Sequence, residues 1–186
     1  FGISYYCLNV HIFNSEAWNG VAKHHMRELE KIDEDIICRI FKAHSKTPLE
    51  FLYLESGVIS IKWILAQRRV NYFKTIMEKD TKELVRKVLE AQKINPTNGD
   101  FIKLVEQDML GLDITMKYVE ESTKVDLKKA IKASATNASF AELKKKMMKH
   151  KKIKHIQYDL LKMQPYLRSD KLQAEERQTI TALQFK

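Results

Sequence analysis

The sequence is poor in the residues that interrupt regular structure. Its 186 residues include five Gly and three Pro, which leaves long stretches free of helix breakers. No apolar run approaches the roughly 20 residues that a membrane-spanning helix needs. The first ten residues, Phe1–Val10, have neither the basic flank nor the long apolar region of a secretory signal. We therefore expect an intracellular protein, nuclear or cytoplasmic rather than secreted, that has no membrane partner.

Cysteine and the motifs of catalysis are also scarce. Cys7 and Cys38 have no CxxC spacing, which favours two unpaired, mostly buried thiols in a reducing compartment. There is no Gly-rich phosphate loop, no GxSxG and no HExxH, and no two His residues lie three or four positions apart. The acidic run Asp33–Asp35 is explained by a solvated helix face. We expect no catalytic residue, metal or cofactor in this chain.

The residues that are present favour helices. The chain is 44% hydrophobic and 31% charged, with few strand-type alternations, which indicates an all-α protein. The clearest amphipathic pattern runs from Val21 to Phe41. We predict an irregular array of eight to ten short-to-medium helices in two regions. These are a helical region over residues 1–95 and a basic helical region over residues 96–186, truncated at its C-terminal end, with a weaker break near Asn137.

Capping signals predict where several helices begin and end. Thr47–Glu50 and Asp80–Glu83 have the form of capping boxes, and Gly57 is placed to stop the first of these helices. Further helices are predicted to begin at Ser60, at Asp100, at Thr115, and at Ser122 or Thr123. Pro165 is predicted to end a helix, because it restricts the residue before it. Phe1–Phe13 is predicted to form a buried helix or strand, and Leu172–Phe185 a last, weaker helix.

The net charge of +9 is concentrated in one part of the chain. Residues 123–168 hold 13 Lys and Arg against three Asp and Glu, whereas residues 1–122 hold 17 against 18. The densest block consists of Lys144, Lys145, Lys146, Lys149, Lys151, Lys152 and Lys154. On a helix, Lys145, Lys149 and Lys152 would share one face. Such a block indicates binding to nucleic-acid phosphates. A solvated surface helix and an anionic membrane surface are the alternatives.

Arg68 and Arg69 form a second candidate site. Arg68 falls on the apolar stripe of the helix predicted after Ser60, one turn from Tyr72. One interpretation is that the two guanidinium groups grip phosphates beside Tyr72. The other is that Arg68 pairs with Glu50, Glu55 or a carbonyl at a helix end. Trp18 and Trp63 are interpreted as core residues.

Several of these motifs, in this order, resemble one family. They resemble the region downstream of the catalytic core in reverse transcriptases of animal non-LTR retrotransposons, which are endonuclease–reverse transcriptase polyproteins. The most specific part is T-P-x-E-x-L-Y-L-E-x-G at residues 47–57 followed by R-R-x-x-Y at residues 68–72. The full set, from about Phe13 to Leu167, is Asn14–Trp18, Leu29–Asp33, Ala43–Pro48, Glu50–Gly57, Gln67–Tyr72, Glu83–Leu84, Ala91–Lys93, Gly99–Asp100, Val105–Asp108, Lys152–Ile156 and Met163–Leu167.

The resemblance implies a helical thumb and post-thumb connector that hold the template–primer behind the polymerase active site. The paired aspartates of the palm, in a Tyr/Phe-x-Asp-Asp setting, do not occur in this sequence. Mg²⁺ would belong to the parent RNA-directed DNA polymerase, and this chain alone is expected to be an inactive fragment. Its expected partners are DNA or RNA, through phosphate contacts, and the missing palm. The alternative is a non-catalytic protein-interaction module with a solvated Lys-rich face.

Overall fold

Helices account for the regular structure in the computed structural model, which describes residues 15, 23–43, 47–150, 156, 158–168, 173, 175–176 and 179–180. Within these residues there is no strand, so the prediction of an all-α array is confirmed. The helices are α1 (Lys23–Phe41), α2 (Leu49–Ser56), α3 (Ile61–Met77), α4 (Leu84–Ile94), α5 (Phe101–Gly111), α6 (Met116–Glu121), α7 (Lys124–Met147) and α8 (Pro165–Arg168). The predictions for Phe1–Phe13, Cys7 and Trp18, and most of Leu172–Phe185, fall outside the described residues.

The chain divides into two compact units. Among the described residues, the first unit contains those of Glu28–Ile61 and Ser139–Lys186, and the second contains residues 15 and 23–27 together with Lys62–Ala138. The predicted boundary after residue 95 lies inside the second unit, in the turn between α4 and α5, and these two helices contact each other.

The first unit has its core between α1, α2 and the end of α7. The predicted amphipathic helix is α1, whose inner face carries Asp33, Ile37 and Phe41 at four-residue spacing, all buried. Every residue of α2 from Phe51 to Ser56 is buried. This helix is therefore covered on all sides, which explains why its sequence has no polar face.

Asp33 corrects the prediction that Asp33–Asp35 forms a solvated acidic face. Its side chain is 3% exposed, and its Oδ2 accepts a 2.5 Å hydrogen bond from the Tyr53 hydroxyl of α2. Burial raises the pKa of Asp33 from 3.8 to about 6, although the Tyr53 hydrogen bond opposes this shift. Asp35 is exposed as predicted. A partner 20 residues away thus places one carboxylate of the run in the core.

A second buried carboxylate joins α2 to residues 158–168. Glu55 is 2% exposed and accepts hydrogen bonds from the hydroxyls of Tyr158 and Tyr166. Its backbone carbonyl accepts from the Gln164 N–H at 3.0 Å. Burial raises the pKa of Glu55 despite these two tyrosine donors. We call these four residues the Glu55 cluster.

Gly57 ends α2 as predicted, and it has a second function. Its φ of 68° lies in the left-handed region, and its N–H donates to the Tyr53 carbonyl at 2.9 Å. A Cβ at this position would lie 2.2 Å from the backbone nitrogen of Met163 and 2.4 Å from the carbonyl carbon of Lys162. Glycine is therefore needed both for the turn and for the close approach of residues 158–168, which carry Tyr158, Gln164 and Tyr166 of the Glu55 cluster.

The second unit is built around α3, α5 and the first half of α7. In this half of α7 the buried residues follow a four-residue spacing, and all three are fully buried: Leu127, Ile131 and Ala135. Trp63 of α3 is a core residue, as predicted, at 8% exposure. Its ring lies 3.2 Å from the position that a Cβ on Gly111 would occupy. Gly111 therefore accommodates the indole.

Both predicted capping boxes are wrong. Pro48, not Thr47, occupies the position before α2 and makes no side-chain cap, and Glu50 instead lies 3.4 Å from the His150 ring. Before α4, Asp80 accepts the Lys82 N–H in a local turn, and Glu83 pairs with Lys79 at 2.6 Å. In both cases the predicted glutamate has a different partner.

The caps of α6 and α7 are confirmed. Thr115 Oγ1 accepts the Tyr118 N–H at 3.2 Å. Thr123 Oγ1 accepts the Asp126 N–H at 3.2 Å and donates to the Asp126 carboxylate at 2.7 Å. The hydroxyls therefore satisfy amide donors that the helices leave unpaired in their first turns.

Two predicted interruptions do not occur where the sequence suggested. Asn137 lies inside α7, because the alanines around it favour a helix more strongly than one exposed asparagine disfavours it. Pro165 begins the short helix α8 instead of ending one. The first helical position suits proline, since its N–H would be unpaired there in any case.

Candidate nucleic-acid interface

The Lys-rich candidate site lies at the C-terminal end of α7, in the first unit. Leu143 and Met147 are buried, which anchors one face of the helix and leaves Lys144, Lys145 and Lys146 exposed. The helix ends at Met147, and the Lys149 N–H closes a tighter turn onto the Lys146 carbonyl at 3.1 Å. Lys149 therefore lies after the helix. The prediction that Lys145, Lys149 and Lys152 share one helix face is therefore wrong for Lys149. Lys151, Lys152 and Lys154 lie outside the described residues.

The exposed lysines of this end differ in their partners. Lys146 pairs with Glu142 at 2.9 Å, and hydrogen bonding to that carboxylate raises the pKa of Lys146. Lys144 lies 5.7 Å from the ring centroid of Phe140. Lys144, Lys145 and Lys149 have no carboxylate within ion-pair distance in the described part of the chain. We call these three residues the α7 lysine cluster.

Lys144 and Lys145, which lie in the last turn of α7, also have a structural role. Lysines in the last turn of a helix stabilise the negative end of its dipole, by roughly 0.3–1 kcal/mol each. Because the ammonium groups stay exposed, this role leaves them accessible to phosphates.

Arg69, the second of the predicted arginines, is part of the core of the second unit. It is 8% exposed, and its guanidinium makes two hydrogen bonds to Asp108 of α5, at 2.5 and 3.0 Å. This paired geometry gives each carboxylate oxygen one donor and fixes α3 against α5. Arg69 therefore does not lie at the surface, where it could bind a phosphate. Nothing in the local sequence identified Asp108, 39 residues away, as its partner.

Arg68 lies on a different face of α3 and lines a pocket of about 560 Å³. Along α3 the pocket wall consists of Arg68, Asn71, Tyr72, Lys74 and Thr75, and along α7 of Lys124, Leu127 and Lys128. We call it the α3–α7 pocket.

Sequence reasoning missed Lys124 and Lys128. Their four-residue spacing and the basic character of residues 123–168 were visible signals. What the sequence did not reveal is that the first turns of α7 face the Arg68 side of α3.

The described residues contain no group of three His, Cys, Asp or Glu side chains that could hold a metal ion. Among the helices of the described ranges, none combines the length and apolar character needed to cross a membrane. Comparison with protein-family models, curated proteins and solved structures finds no match. A functional proposal therefore depends on the arrangement of charged side chains and on the motifs of the sequence.

Proposed function

We propose that this chain binds nucleic acid through contacts to phosphates, and that the α7 lysine cluster makes the main contacts. The observation that carries the proposal is the cluster itself: three exposed lysines within six residues, without a carboxylate partner among the described residues. They lie in the segment whose net charge is +10. Lysine ammonium groups that neutralise phosphates release condensed counterions, and this drives binding that does not depend on base sequence.

We also propose that the chain corresponds to the thumb and post-thumb connector of a non-LTR retrotransposon reverse transcriptase. The support is the ordered set of motifs from residues 47–57 and 68–72 onward, together with an all-helical fold. In this proposal the chain contributes template–primer binding, and the palm of the parent polymerase contributes the catalytic aspartates. Lys146, Lys151, Lys152 and Lys154 would extend the contacts along the same segment.

Neutralising the cluster is the first test. We expect the triple variant Lys144→Gln, Lys145→Gln, Lys149→Gln to bind a short DNA duplex about tenfold or more weakly than the wild type at low salt, because each lost phosphate contact removes counterion release. Fluorescence anisotropy with a labelled duplex measures this change.

The matched control is Lys82→Gln, Lys87→Gln, Lys117→Gln. These lysines are also exposed and give the same change in net charge, but they lie among acidic residues of the second unit. We expect the control to change the affinity much less. An equal loss in both triple variants would mean that net charge alone controls binding, and the proposed interface would be rejected.

Protein binding is a second candidate function, favoured by exposed apolar side chains on α4 and α5. Leu84 is 76% exposed, Ile94 85% and Leu110 83%. If these side chains bind a protein and the lysines are only a solvated face, then reversing the charge of Lys145 and Lys149 to glutamate should not alter behaviour toward nucleic acid.

A further inference from the structure

We propose that the α3–α7 pocket binds a nucleotide, with the phosphate held by Arg68 and Lys128 and the base placed against Tyr72. This pocket belongs to the second unit and shares no residue with the α7 lysine cluster. The inference therefore goes beyond the proposed function and stands or fails independently of it.

Helix geometry brings the lining residues together. Asn71 and Tyr72 lie three and four residues after Arg68, and Thr75 lies four and three residues after them, so all four lie on one face of α3. Lys124 and Lys128 are one turn apart on α7, with the fully buried Leu127 between them. The pocket therefore has cationic side chains on two helices.

The charges of the pocket are incompletely balanced within the described residues. Lys124 pairs with Glu78 at 2.5 Å, and Lys74 donates to the Glu120 carbonyl at 3.0 Å while lying 3.7 Å from the same Glu78. Glu78 thus serves both Lys74 and Lys124, and the residues that line the pocket include four cationic side chains and no carboxylate. Lys128 is exposed and has no carboxylate partner in the part of the chain that is described. The remaining positive charge favours an anionic ligand.

The uncharged side chains favour a nucleotide over a bare anion. The Tyr72 ring is half-buried and held edge-on by Phe101, with centroids 5.8 Å apart. It provides a fixed aromatic surface for a base. The Asn71 amide nitrogen donates to the Gln67 carbonyl at 2.8 Å, which leaves the amide oxygen as an acceptor for a base amino group. The volume of about 560 Å³ is within the range of small-molecule sites, roughly 300–1,000 Å³.

The test uses the whole chain and adenosine monophosphate as the probe, with calorimetry at low salt. We expect saturable binding of the nucleotide, and binding at least about tenfold weaker for adenosine, which lacks the phosphate, and for inorganic phosphate, which lacks the base. Arg68→Gln combined with Lys128→Gln should weaken nucleotide binding by about tenfold or more. Lys128→Gln alone should also weaken nucleotide binding. This variant changes only an exposed side chain.

The control with the same change in charge is Lys82→Gln, Lys87→Gln, two exposed lysines of the second unit that do not line the pocket, and it should leave nucleotide affinity unchanged. Three results would overturn the inference: no saturable nucleotide binding, inorganic phosphate binding as tightly as the nucleotide, or an equal loss in the control variant. Duplex binding by the pocket variants separates the two proposals, because these variants retain the α7 lysine cluster.

Discussion

Replacing Gly57 by alanine is expected to lower the free energy of unfolding by about 3 kcal/mol or more. The φ of 68° is strained for any residue with a Cβ, which costs roughly 1–2 kcal/mol. The added Cβ would also lie 2.2 Å from the Met163 nitrogen, so the backbone of residues 162–163 would have to move. That movement would disrupt the Gln164 hydrogen bond to Glu55 and the tyrosine hydrogen bonds beside it.

The chain offers a matched control at Gly99. Its φ of 96° is also positive, but a Cβ there would meet nothing within 4 Å. Gly99→Ala therefore carries backbone strain without a clash, and we expect a loss of about 1–2 kcal/mol. Urea denaturation of both variants measures the difference. If Gly57→Ala cost no more than Gly99→Ala, the close packing of residues 158–168 on α2 would be refuted.

Replacing Asp33 by asparagine is expected to stabilise the protein near pH 7 and not at pH 4. The folded-state pKa of Asp33, about 6, lies above its ordinary value of 3.8. The folded state therefore binds the proton more tightly than the unfolded state. The stability that comes from the protonated form is fully present below pH 3.8 and is lost as the pH rises through 6. A shift of about two pH units corresponds to about 3 kcal/mol.

Asparagine keeps an oxygen that can accept the Tyr53 hydrogen bond but has no charge to bury. Free energies of unfolding measured from pH 4 to pH 8 should therefore fall less steeply for Asp33→Asn than for the wild type. Glu55 contributes a decrease of the same sign in both proteins, since its pKa is also raised. Asp35→Asn, on the exposed side of α1, is the control and should retain the decrease that comes from Asp33. Parallel profiles for Asp33→Asn and the wild type would contradict the assignment.

The features that the sequence predicted correctly depend on neighbouring residues. The hydroxyls of Thr115 and Thr123 cap helices through amides three residues away, and Gly57 stops α2 through its own backbone conformation. Periodicity over 10 to 20 residues likewise indicated the helices. Such signals lie within the stretch of chain that forms the element, so no knowledge of tertiary packing is needed.

The predictions that failed concern residues whose partners are distant in the sequence. Asp33 is buried because Tyr53 lies against it. Arg69 is buried because the Asp108 carboxylate accepts hydrogen bonds from its guanidinium. Glu50 does not complete a capping box, since it lies beside His150. For the candidate interface, the block of lysines was evident from charge alone. Only the structure shows that Lys146 pairs with Glu142 and that α7 ends before Lys149.

The salt dependence of duplex binding tests the central claim most directly. For B-DNA, the slope of log affinity against log salt concentration is about −0.9 per phosphate neutralised. The three lysines of the α7 cluster therefore lead to an expected slope of about −2.7 or steeper between 50 and 200 mM salt. Neutralising the cluster should make the slope shallower by about the same amount. A flat dependence, or no binding at the lowest salt, would contradict nucleic-acid binding through phosphate contacts.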